Sequence, residues 1–273
     1  MAKLSDTSPE AERVLIDVYR RMPVGQKWLH LGEMFRDAKA LHAAGFRLRN
    51  PGATPRQVHE DWLIRTLGFT PLGVIPEPAA DGPMQSLGDL REVLRAFTDL
   101  GIAYALGGSM ASSVHGIDRY TRDADVTAEP FPGREAQLVG AFGPDYYVSL
   151  PAVRDAVRQR FSFNIINTGT GFKVDVFICK DAPFERSAMR RRTPVVLPDA
   201  PGQPITLHTP EDVILFKLRW YRLGGESSPQ QWADVLGVLK VQAGKLDQAY
   251  LDHWAADLGV TDLLARVRQE STS

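Results

Sequence analysis

The residues of this chain whose types and spacing could do chemistry are three carboxylates and a glycine turn. Gly107-Gly108-Ser109 follows the apolar run Ile102-Ala103-Tyr104-Ala105-Leu106, which reads as a buried strand. Asp123 and Asp125 open a second run, Asp123-Ala124-Asp125-Val126-Thr127, and Asp175 lies in a third, Lys173-Val174-Asp175-Val176-Phe177-Ile178. Residues two apart on a strand share a face, so Asp123 and Asp125 aim at one point. Carboxylates that close repel each other unless a cation or proton lies between them. A Gly-Gly turn lets backbone N–H groups approach phosphoryl oxygens, and a helix start after it adds its dipole. The expected chemistry is magnesium held by Asp123 and Asp125 against a triphosphate, with Ser109 adding a hydroxyl. Asp175 faces away from Val174 and Val176. It is expected to take a proton from an attacking hydroxyl or to bind a second metal. Taken singly, each motif is commonplace; their order, strand context and intervening helix make the combination specific.

The elements that must position these residues divide the chain into four parts. Residues 1–69 are expected to be a helical domain. Ser8-Pro9-Glu10 caps a helix with Val14, Leu15, Val18 and Met22 on one face, and a second helix covers Gln26 to Ala44, ending at Gly45. Thr54-Pro55-Arg56-Gln57 is a capping box opening a third. Residues 70–85, rich in proline and glycine, are expected to be a linker. Residues 86–208 alternate helix and strand: a helix capped by Ser86 and ended by Gly101, the Ile102–Leu106 strand, a short helix from Met110, and the Asp123–Asp125 strand. A helix through Leu138 and Phe142 follows, then two strands joined at Thr168-Gly169-Thr170-Gly171 as a hairpin. This order predicts an α/β or α+β core with a mixed sheet. Residues 209–273 are expected to be helical, beginning at Thr209-Pro210-Glu211-Asp212.

The 273 residues carry 44% hydrophobic and 24% charged side chains, as in ordinary soluble globular proteins. No apolar stretch reaches membrane-spanning length and the N-terminus lacks a signal-peptide core, so a cytoplasmic protein is expected. The single cysteine, Cys179, lies in an apolar run and is expected to be a buried structural thiol in a reducing compartment. A net charge of -1 gives no global basic field for nucleic acid.

The run Ala105-Leu106-Gly107-Gly108-Ser109-Met110-Ala111-Ser112-Ser113-Val114-His115-Gly116, followed by Arg119-Tyr120-Thr121-Arg122-Asp123-Ala124-Asp125-Val126, resembles the polymerase-β-type nucleotidyltransferase superfamily. Within it the chain is most similar to bacterial stand-alone members, including the abortive-infection and type IV toxin branch. The resemblance spans roughly Leu90 to Leu264 and leaves the N-terminal helices outside. It implies a mixed-sheet fold and magnesium-dependent (or manganese-dependent) transfer of a nucleoside monophosphate from a triphosphate such as ATP, releasing pyrophosphate. Nucleotide binding falls on Gly107, Gly108 and Ser109, metal binding on Asp123 and Asp125, and the third carboxylate on Asp175. The toxin branch has a similar Pro-Glu-Asp helix bearing a functional lysine, here Lys217, and a later acid, here Asp234. Lys217 interrupts an apolar stripe of Ile214, Leu218 and Tyr221. It either snorkels to solvent or contacts the triphosphate, and Asp234 either acts or simply pairs with a base. Many minimal relatives carry an arginine after Gly-Ser, where this chain has Met110-Ala111-Ser112-Ser113.

Arg119 and Arg122 flank the aspartates and either touch phosphates or offset nearby acids. His115 has no second histidine at ligand spacing and is expected to pack. Arg186, Arg190, Arg191 and Arg192 form a basic cluster, read as a solvated turn or as a phosphate or RNA contact. The leading expectation is a nucleotidyltransferase whose hydroxyl acceptor (tRNA, protein or small molecule) is open. The alternative is a catalytically inactive nucleotide- or partner-binding module. The N-terminal helices are the expected surface for a second copy or an antitoxin-like partner.

Overall fold

A computed structural model describes residues 8–67, 85–198 and 200–272. Three helices come first: α1 (Pro9–Arg21), α2 (Val24–Arg49) and α3 (Pro55–Leu67). The Ser8 side chain caps α1 by accepting from the Ala11 N–H at 3.3 Å. The capping box of α3 is formed reciprocally: Gln57 Oε1 accepts from the Thr54 N–H at 2.9 Å, and Thr54 Oγ1 accepts from the Gln57 N–H at 3.3 Å. Two expectations here need correction. The second helix does not stop at Gly45. It runs on to Arg49, because an isolated glycine costs a helix only about 1 kcal/mol and the true stop is Asn50-Pro51-Gly52, where Asn50 Nδ2 donates to the Phe46 carbonyl at 3.0 Å. The expected inner face of α1 points outward: Val14, Leu15 and Val18 are exposed, and Ile16 is buried instead. Helix α1 is seated by polar contacts to the C-terminal helices, with Lys240 Nζ 2.6 Å from Glu12 and Arg20 donating to the Lys240 carbonyl at 2.8 Å.

The expected linker falls almost wholly outside the described residues. Next come α4 (Gln85–Asp99), β1 (Tyr104–Leu106), α5 (Gly108–His115) and β2 (Asp123–Ala128). Helix α4 starts at Gln85, next to the expected Ser86, and α5 starts at Gly108 rather than Met110. The chain continues through α6 (Glu135–Gly140), β3 (Tyr146–Val148), α7 (Leu150–Gln159), β4 (Ser162–Asn167) and β5 (Lys173–Ile178). Helix α8 (Pro183–Arg191) and strands β6 (Thr193–Leu197) and β7 (Ala200–Leu207) complete the sheet region. Four helices close the chain: α9 (Pro210–Leu223), α10 (Pro229–Val241), α11 (Gln248–Asp257) and α12 (Thr261–Thr272).

Among the described residues, seven strands form one mixed sheet in the order β3-β4-β5-β2-β1-β7-β6. Strands β4 and β5 are the expected antiparallel hairpin; β2 and β5 run parallel, while β1 and β2 run antiparallel. Strand alternation divides the sheet into two faces. Ala124, Val126, Val174, Val176, Phe163 and Ile165 point into a core shared with Trp28, Leu31 and Phe35 of α2, Trp62 and Leu63 of α3, and Leu90, Leu94 and Phe97 of α4. Each fully buried Val, Leu, Ile or Phe among them contributes about 1.5–3 kcal/mol of burial free energy. The opposite face carries Asp123, Asp125, Lys173 and Asp175, all partly exposed. A second core joins α8 to α12 through Phe184, Leu215, Leu218, Val238, Trp254 and Leu264. No helix among the described residues is long and apolar enough to cross a membrane.

Candidate functional site

The register of β2 against β5 sets Asp125 directly beside Asp175 and Asp123 beside Lys173. Neighbouring strands lie about 4.8 Å apart, so these side chains form a compact charged patch. The β1–α5 turn closes onto it. The Gly107 N–H donates to the Asp125 carbonyl at 2.8 Å, pinning the turn to β2. Gly108 has φ +55°, and a Cβ there would lie 1.7 Å from Asp125 Oδ2. Only glycine permits the α5 N-terminus to rest against this carboxylate.

Burial, followed by the charges of Asp123 and Asp175, pushes the Asp125 carboxyl up to about 6, although Lys217 and Lys173 oppose the shift. Thr121 Oγ1 donates to Asp123 at 3.1 Å. Asp175 is held on both oxygens: Lys173 Nζ lies 2.7 Å from Oδ2, and the Asn164 amide donates to Oδ1. Among the described residues, no three His, Cys, Asp or Glu side chains converge as a metal-binding group. A magnesium site shared with substrate phosphates needs only one or two carboxylates. Asp123 and Asp125 fit that donor set, two partly exposed carboxylates on one strand face.

The C-terminal helices reach the turn through a chain of polar contacts. Arg119 grips Asp234 of α10 at 2.7 and 2.9 Å and donates to Ser109 Oγ at 2.6 Å. Lys217 of α9 is buried with Nζ 2.7 Å from Asp234 and 3.1 Å from Gln231 Oε1. Lys217 therefore does not snorkel to solvent; its ammonium stays within the fold. Burial alone raises the pKa of Asp234, but the Arg119 hydrogen bonds and the charge of Lys217 outweigh it and hold the carboxyl below its ordinary range. Asp234 pairs with two bases, as one of its two sequence readings has it.

Other singled-out residues fall elsewhere. Arg122 donates to the Arg65 carbonyl at 3.1 Å. His115 Nε2 lies 2.8 Å from the His208 carbonyl, the expected packing role. Cys179 is buried, and burial pushes its thiol up to about 11. The arginine cluster lies on and just after α8 rather than in a turn. Arg191 meets Glu211 at 2.9 Å and stacks 3.6 Å from the Tyr250 ring centre, while Arg186 pairs with Asp181. Sequence reasoning passed over Lys173, Asn164 and Gln231. Lys173 was open to detection, since it stands two residues before Asp175 on the same strand face. Asn164 needed the hairpin register and Gln231 needed the packing of α9 on α10.

No protein-family model matches the chain, and neither does any curated protein sequence. Among solved structures, it is similar to an antigenic nucleotidyltransferase-like protein from Paracoccidioides brasiliensis at 19% identity and TM-score 0.43, covering 67% of this chain and 93% of that one. A crystal structure of ANT(2")-Ia in complex with adenylyl-2"-tobramycin matches at 14% identity and TM-score 0.44, covering 64% and 97%. A solution structure of the antibiotic-resistance factor ANT(2'')-Ia matches at 12% identity and TM-score 0.41, covering 68% and 97%.

Proposed function

We propose that the chain is a nucleotidyltransferase that moves a nucleoside monophosphate from a magnesium-bound triphosphate to a hydroxyl acceptor. One observation carries the reading. The glycine turn at the start of α5 lies against Asp125 so closely that no other residue fits, which places backbone N–H donors beside a paired carboxylate. Such a juxtaposition suits a ligand carrying both phosphates and a divalent cation.

In this reading Asp123 and Asp125 hold magnesium, which when bound neutralises charge on the reacting phosphate and the departing pyrophosphate. The α5 N-terminus binds phosphate oxygens through its N–H groups. Ser109 accepts from Arg119 and so keeps its own hydroxyl hydrogen to donate to the triphosphate. Lys217 has three N–H donors, of which Asp234 and Gln231 engage two, leaving one for a phosphate oxygen. Asp175 retains lone pairs beyond those used by Lys173 and Asn164, so it accepts the proton of the attacking hydroxyl. The acceptor oxygen–phosphorus bond forms as the bond to pyrophosphate breaks.

Asp123→Asn and Asp125→Asn are each expected to abolish transfer from an α-labelled triphosphate while leaving the fold intact. Unchanged transfer refutes the proposal. The competing reading, binding without turnover, draws on the engagement of Asp175 by two donors. Calorimetry with magnesium and each triphosphate, paired with a pyrophosphate-release assay, separates the two. Labelling in a cell lysate identifies the acceptor as tRNA, protein or small molecule. A toxin role predicts growth arrest on expression.

A further inference from the structure

Lys173 is the charged residue of the patch to which the nucleotidyl-transfer reading gives no role. Its ammonium lies 2.7 Å from Asp175 Oδ2 and 3.8 Å from Asp123 Oδ2, between two of the three carboxylates. The β2–β5 register fixes it opposite Asp123, and the β4–β5 register brings Asn164 opposite Asp175. Asp175 is thus held from both sides by groups of its own sheet, and it does not join Asp123 and Asp125 in a three-ligand cluster.

Resting on the nucleotidyl-transfer reading, we propose that Lys173 serves as the second cation of this site. It confines the divalent ion to Asp123 and Asp125 and reserves Asp175 for the acceptor hydroxyl. A second divalent ion bound through Asp175 Oδ2 would lie within about 5 Å of the ammonium. Like charges at that distance repel even in a high dielectric. Lys173 is therefore a positioning residue: it acts through Asp175 and sets the metal stoichiometry.

Manganese titration of the full chain, read by electron paramagnetic resonance with a non-hydrolysable ATP analogue present, tests this. The wild type is expected to bind one Mn2+ per chain. Lys173→Met is expected to bind a second, and to bind the first about tenfold more tightly, the change that about 1.4 kcal/mol produces. Lys173→Arg is expected to keep one. Asp175→Asn, which needs no change at Lys173, is expected to keep one Mn2+ per chain, because Asp123 and Asp125 hold the ion. Two Mn2+ in the wild type, a Lys173→Met stoichiometry and affinity equal to wild type, or loss of the bound Mn2+ in Asp175→Asn overturns the assignment. Asp123→Asn keeps the two levels apart. If it removes Mn2+ binding while Lys173→Met behaves as wild type, the role of Lys173 fails and the metal–nucleotide reading stands. If the wild type binds no Mn2+, or Asp123→Asn leaves binding unchanged, the metal–nucleotide reading fails and the Lys173 assignment with it.

Discussion

Gly108→Ala tests whether the turn is built around the Asp125 carboxylate. The added Cβ would meet Asp125 Oδ2 at 1.7 Å, Cγ at 2.5 Å and Cβ at 2.7 Å. Those atoms sit on a strand pinned on both sides, by β1 and by β5. The contact must therefore be relieved by rotating the carboxylate or by moving the turn. Forcing a non-glycine residue into left-handed backbone at φ +55° costs about 1–2 kcal/mol, and overpacking adds about 1–3 kcal/mol. The expected loss is about 2–5 kcal/mol by urea denaturation. Transfer is expected to fall by about 100-fold or more, because a misplacement of about 1 Å at a reacting centre has that effect. Gly133→Ala is the control: φ is +86°, but nothing lies within 4 Å of the new Cβ. It should show the backbone cost alone. In an Asp125→Gly background the three clashing atoms are gone, so Gly108→Ala should lose most of its steric component there. Equal denaturation midpoints for Gly108→Ala and Gly133→Ala, or strict additivity with Asp125→Gly, would refute the reasoning.

The remaining predictions concern charge and capping. Asp125 has a carboxyl raised to about 6, above its unfolded value of about 3.9. Its charged form therefore destabilises the fold above pH 6, and the penalty fades as pH falls toward 4. Asp125→Asn should be more stable than wild type at pH 8 by about 1–3 kcal/mol and match it near pH 4; an equal offset at both values in urea melts would contradict this. Lys217→Met removes one of the two bases on buried Asp234 and should cost about 2–4 kcal/mol. Because the Asp234 carboxyl lies below its ordinary range, its contribution is present above the unfolded value and lost as pH falls through the folded one. The acid-unfolding midpoint of Lys217→Met should accordingly move to higher pH, as read by circular dichroism. Thr54→Ala breaks the reciprocal capping box of α3 and should lower stability by about 1 kcal/mol without altering triphosphate binding.

What the sequence made legible follows from the range of each interaction. The Gly107–Ser109 turn, the Asp123–Asp125 strand, the β4–β5 hairpin and the Thr209-Pro210 helix start are local patterns, each with its period or cap within a few residues. Other elements were hidden by local signals that tertiary context overrides. Pro194, Pro201 and Pro204 argue against strands, yet they lie in β6 and β7. There β6 is the sheet edge, and β7 meets β1 only at Leu207, beyond its prolines. Helix α7 is announced by Ser149, whose side chain caps it, and by Pro151 in its first turn. The outward Val14, Leu15 and Val18 show the limit of periodicity: it finds an apolar stripe but not which side of the helix packs.

The chemistry-bearing contacts divide along the same line. Asp123 and Asp125 share a face by backbone period alone, whereas Arg119 and Asp234 meet across 115 residues of sequence. That long-range pair decides what Ser109 can do. An arginine without Asp234 would be free to swing over the turn. With both terminal nitrogens and Nε committed to Asp234, Tyr120 and Ser109, the guanidinium is fixed and the serine oxygen must accept from it. The hydroxyl hydrogen is then directed away from Arg119. Helices α9 and α10 thus complete the turn: by orienting Arg119 they turn Ser109 from a residue with two hydrogen-bonding options into a committed donor, the property the proposed phosphate contact requires.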